Sequence, residues 1–71
     1  MENVTGTRLK LLREEKGLSK AEVARRLNLN TYNTVSSWEN NVNYPRAAEI
    51  IKLCEMYEVS ADFILGLSND R

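Results

Sequence analysis

The sequence predicts an all-α fold of five short helices. Three observations carry this expectation. Apolar residues recur three and four positions apart. No segment shows the apolar-polar alternation of a strand. The one proline and three glycines read as punctuation between the helical segments. A chain of 71 residues has room for one domain, taken as residues 1–71 with its core between 7 and 67. A domain of this size buries only about 60% of its unfolded surface, which argues against a deep enzyme cleft.

The first helix is expected over Thr7 to Lys16, after a polar start at Met1 to Gly6, with Leu9 and Leu12 on its inner side. Gly17 closes it, and Leu18 is the apolar residue that folds back on the last turn. Ser19 and Glu22 have the spacing of a capping box, so a second helix of about two turns starts at Lys20. Val23, Ala24 and Leu27 give it a narrow apolar stripe, and Ala24 lets another helix come close. Asn28, Leu29 and Asn30 end it, because asparagine tolerates left-handed backbone angles. A third helix, capped by Asn30 or Thr31, carries Val35 and Trp38 inward. The rest of its surface is uncharged and polar, which is unusual for a merely solvated face. Pro45 suits the first turn of a fourth helix, about Arg46 to Glu58, with Ala47, Ile50, Ile51, Cys54 and Tyr57 inward. Ser60 caps a short fifth helix bearing Phe63, Ile64 and Leu67.

Ten basic and ten acidic residues give zero net charge, yet residues 1–26 hold seven basic and four acidic, and residues 27–71 three and six. Such a polar molecule can present a positive face to a polyanion. With one cysteine and no histidine, neither an internal disulfide nor a zinc site is expected, and no metal, cofactor or small-molecule ligand is anticipated. Cys54 reads as a small core residue, Glu14 and Glu15 as solvated, and Lys10 and Lys16 as solubility charges. Neither an export leader nor an apolar run near 18 residues is present, so a soluble cytoplasmic protein is expected, with no membrane partner.

Two short helices joined by a turn of three or four residues, the second polar outside, are the parts of a helix-turn-helix, here at about residues 20–40. The segments Arg8-Leu-Lys-Leu-Leu-Arg13, Gly17-Leu-Ser-Lys-Ala-Glu-Val-Ala24, Val35-Ser-Ser-Trp-Glu-Asn40 and Val59-Ser-Ala-Asp-Phe-Ile-Leu-Gly66 resemble the lambda-repressor-like, Cro-type (xenobiotic-response-element) helix-turn-helix family. The resemblance implies a five-helix DNA-binding domain whose third helix enters the major groove. It implies base reading by Tyr32, Asn33 and Ser37, with Thr31 and Ser36 at the edge, and phosphate contacts from Lys20, Asn30, Asn40 and Arg46. It also implies an ion pair between Arg13 and Glu39. The residue types suit these roles: asparagine can pair bidentately with adenine, hydroxyls read either sense, and cations hold phosphates. Between Leu27 and Trp38 the chain has one residue more than the family's common spacing. Either the turn is longer or the third helix starts a residue early.

The expected function is therefore sequence-specific transcriptional regulation, with repression favoured. It acts through a homodimer on a near-palindromic stretch of double-stranded DNA. No catalytic constellation is present, so no enzyme activity is expected. The competing reading is a protein-interaction module of the same fold, such as an antitoxin or anti-repressor partner, and zero net charge is its main support.

Overall fold

A computed structural model describes residues 3–71, so Met1 and Glu2 of the polar start lie outside the described residues. Five helices follow in order, α1 (Thr5–Glu15), α2 (Lys20–Arg26), α3 (Asn33–Glu39), α4 (Ala47–Tyr57) and α5 (Ala61–Leu65), with no strand among the described residues. Helix α3 packs against α1 and α2, while α5 packs against α1 and α4. Their inward stripes meet in one core built on Leu9, Leu12, Val23, Val35, Trp38, Leu53, Tyr57, Phe63 and Ile64, with Ala24 and Leu27 closing the α2 side.

Helix α1 starts two residues earlier than its apolar pattern suggested, and Gly6 lies inside it rather than before it. The reason is a close approach. A Cβ on Gly6 would stand 2.5 Å from the Trp38 carbonyl oxygen and 2.6 Å from that of Glu39, so only glycine lets α1 start against the end of α3.

All five helices end on one device, a single left-handed residue followed by an N–H that returns to the last turn. Gly17, Asn28, Asn41, Glu58 and Gly66 all have positive φ. The N–H groups of Leu18, Leu29, Val42, Val59 and Leu67 donate to the carbonyls of Arg13, Ala24, Ser37, Cys54 and Asp62. Glycine and asparagine bear that backbone readily, but Glu58 does not. At φ 57° and ψ 46°, with its side chain exposed, Glu58 can lose its Cβ without losing a packing contact. Glu58→Gly is expected to raise stability by about 0.5–1 kcal/mol, read as a higher denaturant midpoint at unchanged slope.

Three expectations for α4 and α5 are corrected. Pro45 is buried and precedes Arg46, the residue that caps α4, rather than occupying the first helical turn. The buried stripe of α4 is Ile50, Leu53 and Tyr57. Ile51 is 62% exposed, Ala47 faces out, and Cys54 is half-buried at the margin of the core. Leu67 lies beyond α5 and is exposed.

The C-terminal segment folds back on α1. Arg8 donates to the carbonyls of Phe63 and Ser68 and to Asn69 Oδ1, with its guanidinium 4.4 Å above the Phe63 ring. Arg71 forms a bidentate pair with Glu15 at 2.7 and 2.8 Å and also lies over Phe63. Part of the basic excess of residues 1–26 thus serves architecture, because Arg8 is committed to this segment.

Candidate nucleic-acid interface

Helix α2 starts where the capping box placed it. Ser19 Oγ accepts the Glu22 N–H and Glu22 Oε1 accepts the Ser19 N–H, each at 3.1 Å. That backbone N–H, aided by the Ser19 hydroxyl, holds the Glu22 carboxyl below its usual range. The box anchors Lys20 as the first residue of α2.

The turn to α3 is longer than the three or four residues anticipated, spanning residues 27–32. Helix α3 starts at Asn33 with Tyr32 at the cap position. Neither Asn30 nor Thr31 is the formal cap. Thr31 Oγ1 instead accepts the Asn33 N–H at 3.2 Å, satisfying a donor at the helix start from one position further out. Helical spacing then puts Asn33, Ser36, Ser37 and Asn40 on one stripe, opposite Val35 and Trp38. Asn33 and Asn40 are exposed, and Ser36 and Ser37 are half-buried.

The back of α3 is held by a charge pair as well as by apolar packing. Arg13 Nε lies 2.7 Å from Glu39 Oε2 and Arg13 Nη2 3.1 Å from Glu39 Oε1, a planar two-point contact across α1 and α3. A third donor, Arg13 Nη1, reaches the Leu18 carbonyl at 3.0 Å. The bond to Glu39 raises the Arg13 pKa further above its already high ordinary value.

Tyr57 lies close to this pair, and burial first, then the Glu39 charge, pushes its phenol up to about 12. An acid raised in the folded state binds its proton longer there than in the unfolded chain. Its contribution is therefore fully present below the ordinary value near 10 and is lost as pH climbs toward 12. Denaturant midpoints are expected to fall over that interval, and Tyr57→Phe to flatten the part of the fall that belongs to this phenol.

Around the stripe, the site residues group unequally. Asn30 and Thr31 share a groove with Thr34, Asn43, Tyr44 and Arg46, walled by Trp38 and by Glu49, whose carboxylate accepts the Arg46 N–H at 2.8 Å. Tyr32, 54% exposed, faces α2 across a second groove that includes Arg25. Lys20 lines neither groove and stands alone at the start of α2. Asn43, Tyr44 and Arg25 were missed in the sequence reading. An exposed aromatic between an asparagine and Pro45 was the signal for Tyr44, and the outward side of the Val23–Ala24 stripe was the signal for Arg25. Among the described residues the ion pairs are Arg13–Glu39 and Arg71–Glu15, so Arg25 and Arg46 carry unpaired charge in the grooves beside α3, and Lys20 carries one at the start of α2. Among the same residues no cluster of His, Cys, Asp or Glu could hold a metal ion, and no helix is long and apolar enough to cross a membrane.

Comparison with known proteins agrees with this geometry. A helix-turn-helix family profile matches residues 9–64. The HTH-type transcriptional regulator ImmR of Bacillus subtilis (strain 168) is 36% identical over 61 residues, which are 86% of this chain but 47% of ImmR, so the chain spans about half of that relative's length. SinR of Bacillus subtilis, a master regulator for biofilm formation solved in complex with DNA, superposes with a TM-score of 0.75 at 31% identity, covering 86% of this chain and 97% of that one. A transcriptional regulator from Listeria innocua superposes with a TM-score of 0.85 at 24% identity, over 93% of this chain and 61% of that one, a likeness of fold. With its five helices in order and the profile spanning most of its length, this chain belongs to the helix-turn-helix family, in its lambda-repressor-like, Cro-type branch.

Proposed function

We propose that this chain is a DNA-binding domain of a transcriptional regulator, a repressor that occupies its operator and carries out no catalysis. The observation that supports it most is the surface of α3. Its stripe of Asn33, Ser36, Ser37 and Asn40 is uncharged and rich in donors and acceptors, and the cations Arg25 and Arg46 line the grooves on either side of the start of α3. Uncharged polar groups in the middle and cations at the margins match a duplex, whose base edges lie within the groove and whose phosphates line its rims. In this reading Asn33 and Ser37, with Tyr32, Thr31 and Ser36 beside them, meet base edges. Lys20, Asn30, Asn40 and Arg46 meet phosphates. The DNA complex of SinR, a relative of similar fold, supports the same mode of use.

Regulators of this kind bind as dimers with half-sites about one helical turn, roughly 34 Å, apart. We assign the self-contact to α5 and the segment that follows it, where Leu65 and Leu67 are exposed. Operator DNA is then a near-palindrome, and the dimer forms firmly only on it. Selection of bound fragments from a random pool, followed by gel retardation at low and moderate salt, tests the proposal. Specific, salt-sensitive retardation on a symmetric consensus is the expected result. Absence of any selected consensus would sink it in favour of the protein-interaction reading.

A further inference from the structure

The end of α3 is tied to the start of α1 by a side chain that the DNA-reading surface does not use. Asn41 is the left-handed residue that closes α3, with φ 60°. Its backbone N–H donates to the Trp38 carbonyl at 3.1 Å, so the turn itself is complete without the side chain. The side chain does something else: Asn41 Oδ1 accepts the Gly6 N–H of α1 at 2.9 Å, across 35 residues of sequence. Gly6 is buried, and its Cα sits against the carbonyls of Trp38 and Glu39, so this bond is made at the closest approach of the two helices. Directly after Asn41, the N–H groups of Val42 and Asn43 both return to the Ser37 carbonyl, at 2.9 and 3.4 Å. A continuous path therefore runs from the first turn of α1, through Asn41, into the backbone of Ser37 and the loop leading to Arg46.

The pair formed by Arg13 and Glu39 and the core packing of Val35 and Trp38 hold the back of α3. Asn41 adds a polar tie two residues beyond Glu39, at the end of the helix itself. Asn40 lies between the two ties, and Asn33 lies at the far end of the seven-residue helix, where a small tilt becomes the largest displacement.

We propose that Asn41 is a positioning residue for DNA reading, docking the end of α3 on the Gly6 amide so that Asn33 and Ser37 meet base edges in register. This rests on the DNA-reading function proposed above. It concerns specificity more than stability, because glycine is at least as comfortable as asparagine in the left-handed backbone that closes the helix. Base contacts need their donors and acceptors placed within a fraction of an ångström, whereas phosphate contacts tolerate more.

The test compares wild type, Asn41→Gly and Asn41→Asp for binding to the selected duplex and to a scrambled duplex, at a temperature where all three are fully folded. Amide exchange at Gly6 is read alongside. Asn41→Gly is expected to stay folded with a modestly lower denaturation midpoint, because the buried Gly6 N–H loses its acceptor while glycine eases the left-handed turn, to speed exchange at Gly6, and to lower the ratio of specific to scrambled affinity about tenfold. Asn41→Asp keeps an acceptor at the same place and is expected to restore the ratio. A wild-type ratio in Asn41→Gly would overturn the positioning role, and so would a fall in the midpoint sufficient to explain lost binding on both duplexes alike. If wild type itself shows no preference between duplexes, the DNA-reading function fails, and the role of Asn41 fails with it.

Discussion

Glu39→Ala is expected to cost this domain about 3–5 kcal/mol, because it leaves the Arg13 cation in place without its partner. The Glu39 side chain is 3% exposed and that of Arg13 12%, so removing one partner leaves the other largely shielded from water. Small domains are stable by only about 5–15 kcal/mol, and this loss places the variant near its unfolding midpoint under mild conditions. Truncating Arg13 instead is expected to cost a comparable amount, since it strands a buried carboxylate beside Tyr57. The double variant Arg13→Ala/Glu39→Ala is expected to lose much less than the sum, as both desolvation penalties vanish together. A matched apolar pair, Arg13→Met/Glu39→Leu, is expected to fold with near wild-type stability. Denaturation of wild type, the two single variants and the double alanine variant closes the cycle, and additive single losses would mean that the two side chains do not cooperate.

Much of this molecule was legible from local chemistry, and the exceptions share a cause. Ser19, Ser60, Gly17 and Asn28 announced helix ends because each satisfies an orphan backbone group within a few residues of itself, and the structure places each in that role. Gly6 did not, since its reason for being glycine lies at Trp38 and Glu39, far away in sequence. On α4, Ala47, Ile51 and Cys54 form as regular an apolar stripe with Ile50 and Tyr57 as Leu53 does. Periodicity alone could not choose between the faces, and packing against α5 and the rest of the core chose Leu53. The start of α3 was ambiguous for a related reason. Asparagine, threonine and tyrosine in succession offer several acceptors, and the one used, Thr31 Oγ1, bonds Asn33 from outside the cap position. The polar stripe of α3 was legible because uncharged polar residues on an outward helix face have little stabilising work of their own. Arg8 shows the converse, a cation that charge counting assigned to a basic surface and that the fold spends on Phe63, Ser68 and Asn69.

Asn33→Ala is expected to weaken binding to the selected operator by up to about 3 kcal/mol, on the order of a hundredfold, with much less loss on scrambled DNA. Asn33 is exposed at the first turn of α3, where its side-chain amide can meet a base edge. The phosphate class should behave differently. Lys20→Ala and Arg46→Ala remove the charges proposed to meet phosphates and are expected to weaken both duplexes alike. Each should lower the slope of log affinity against log salt by about one, for one counterion no longer released. Thr34→Ala discriminates the register. Thr34 is half-buried in the groove beside Trp38, one position off the outer stripe, and its loss should leave the specificity ratio unchanged. The measurement is binding of the four variants to specific and scrambled duplexes across a salt series. Equal losses on both duplexes for Asn33→Ala would remove that residue from the reading surface. A changed preference in Thr34→Ala would instead show that α3 meets the groove rotated by one residue from the orientation its outer stripe implies.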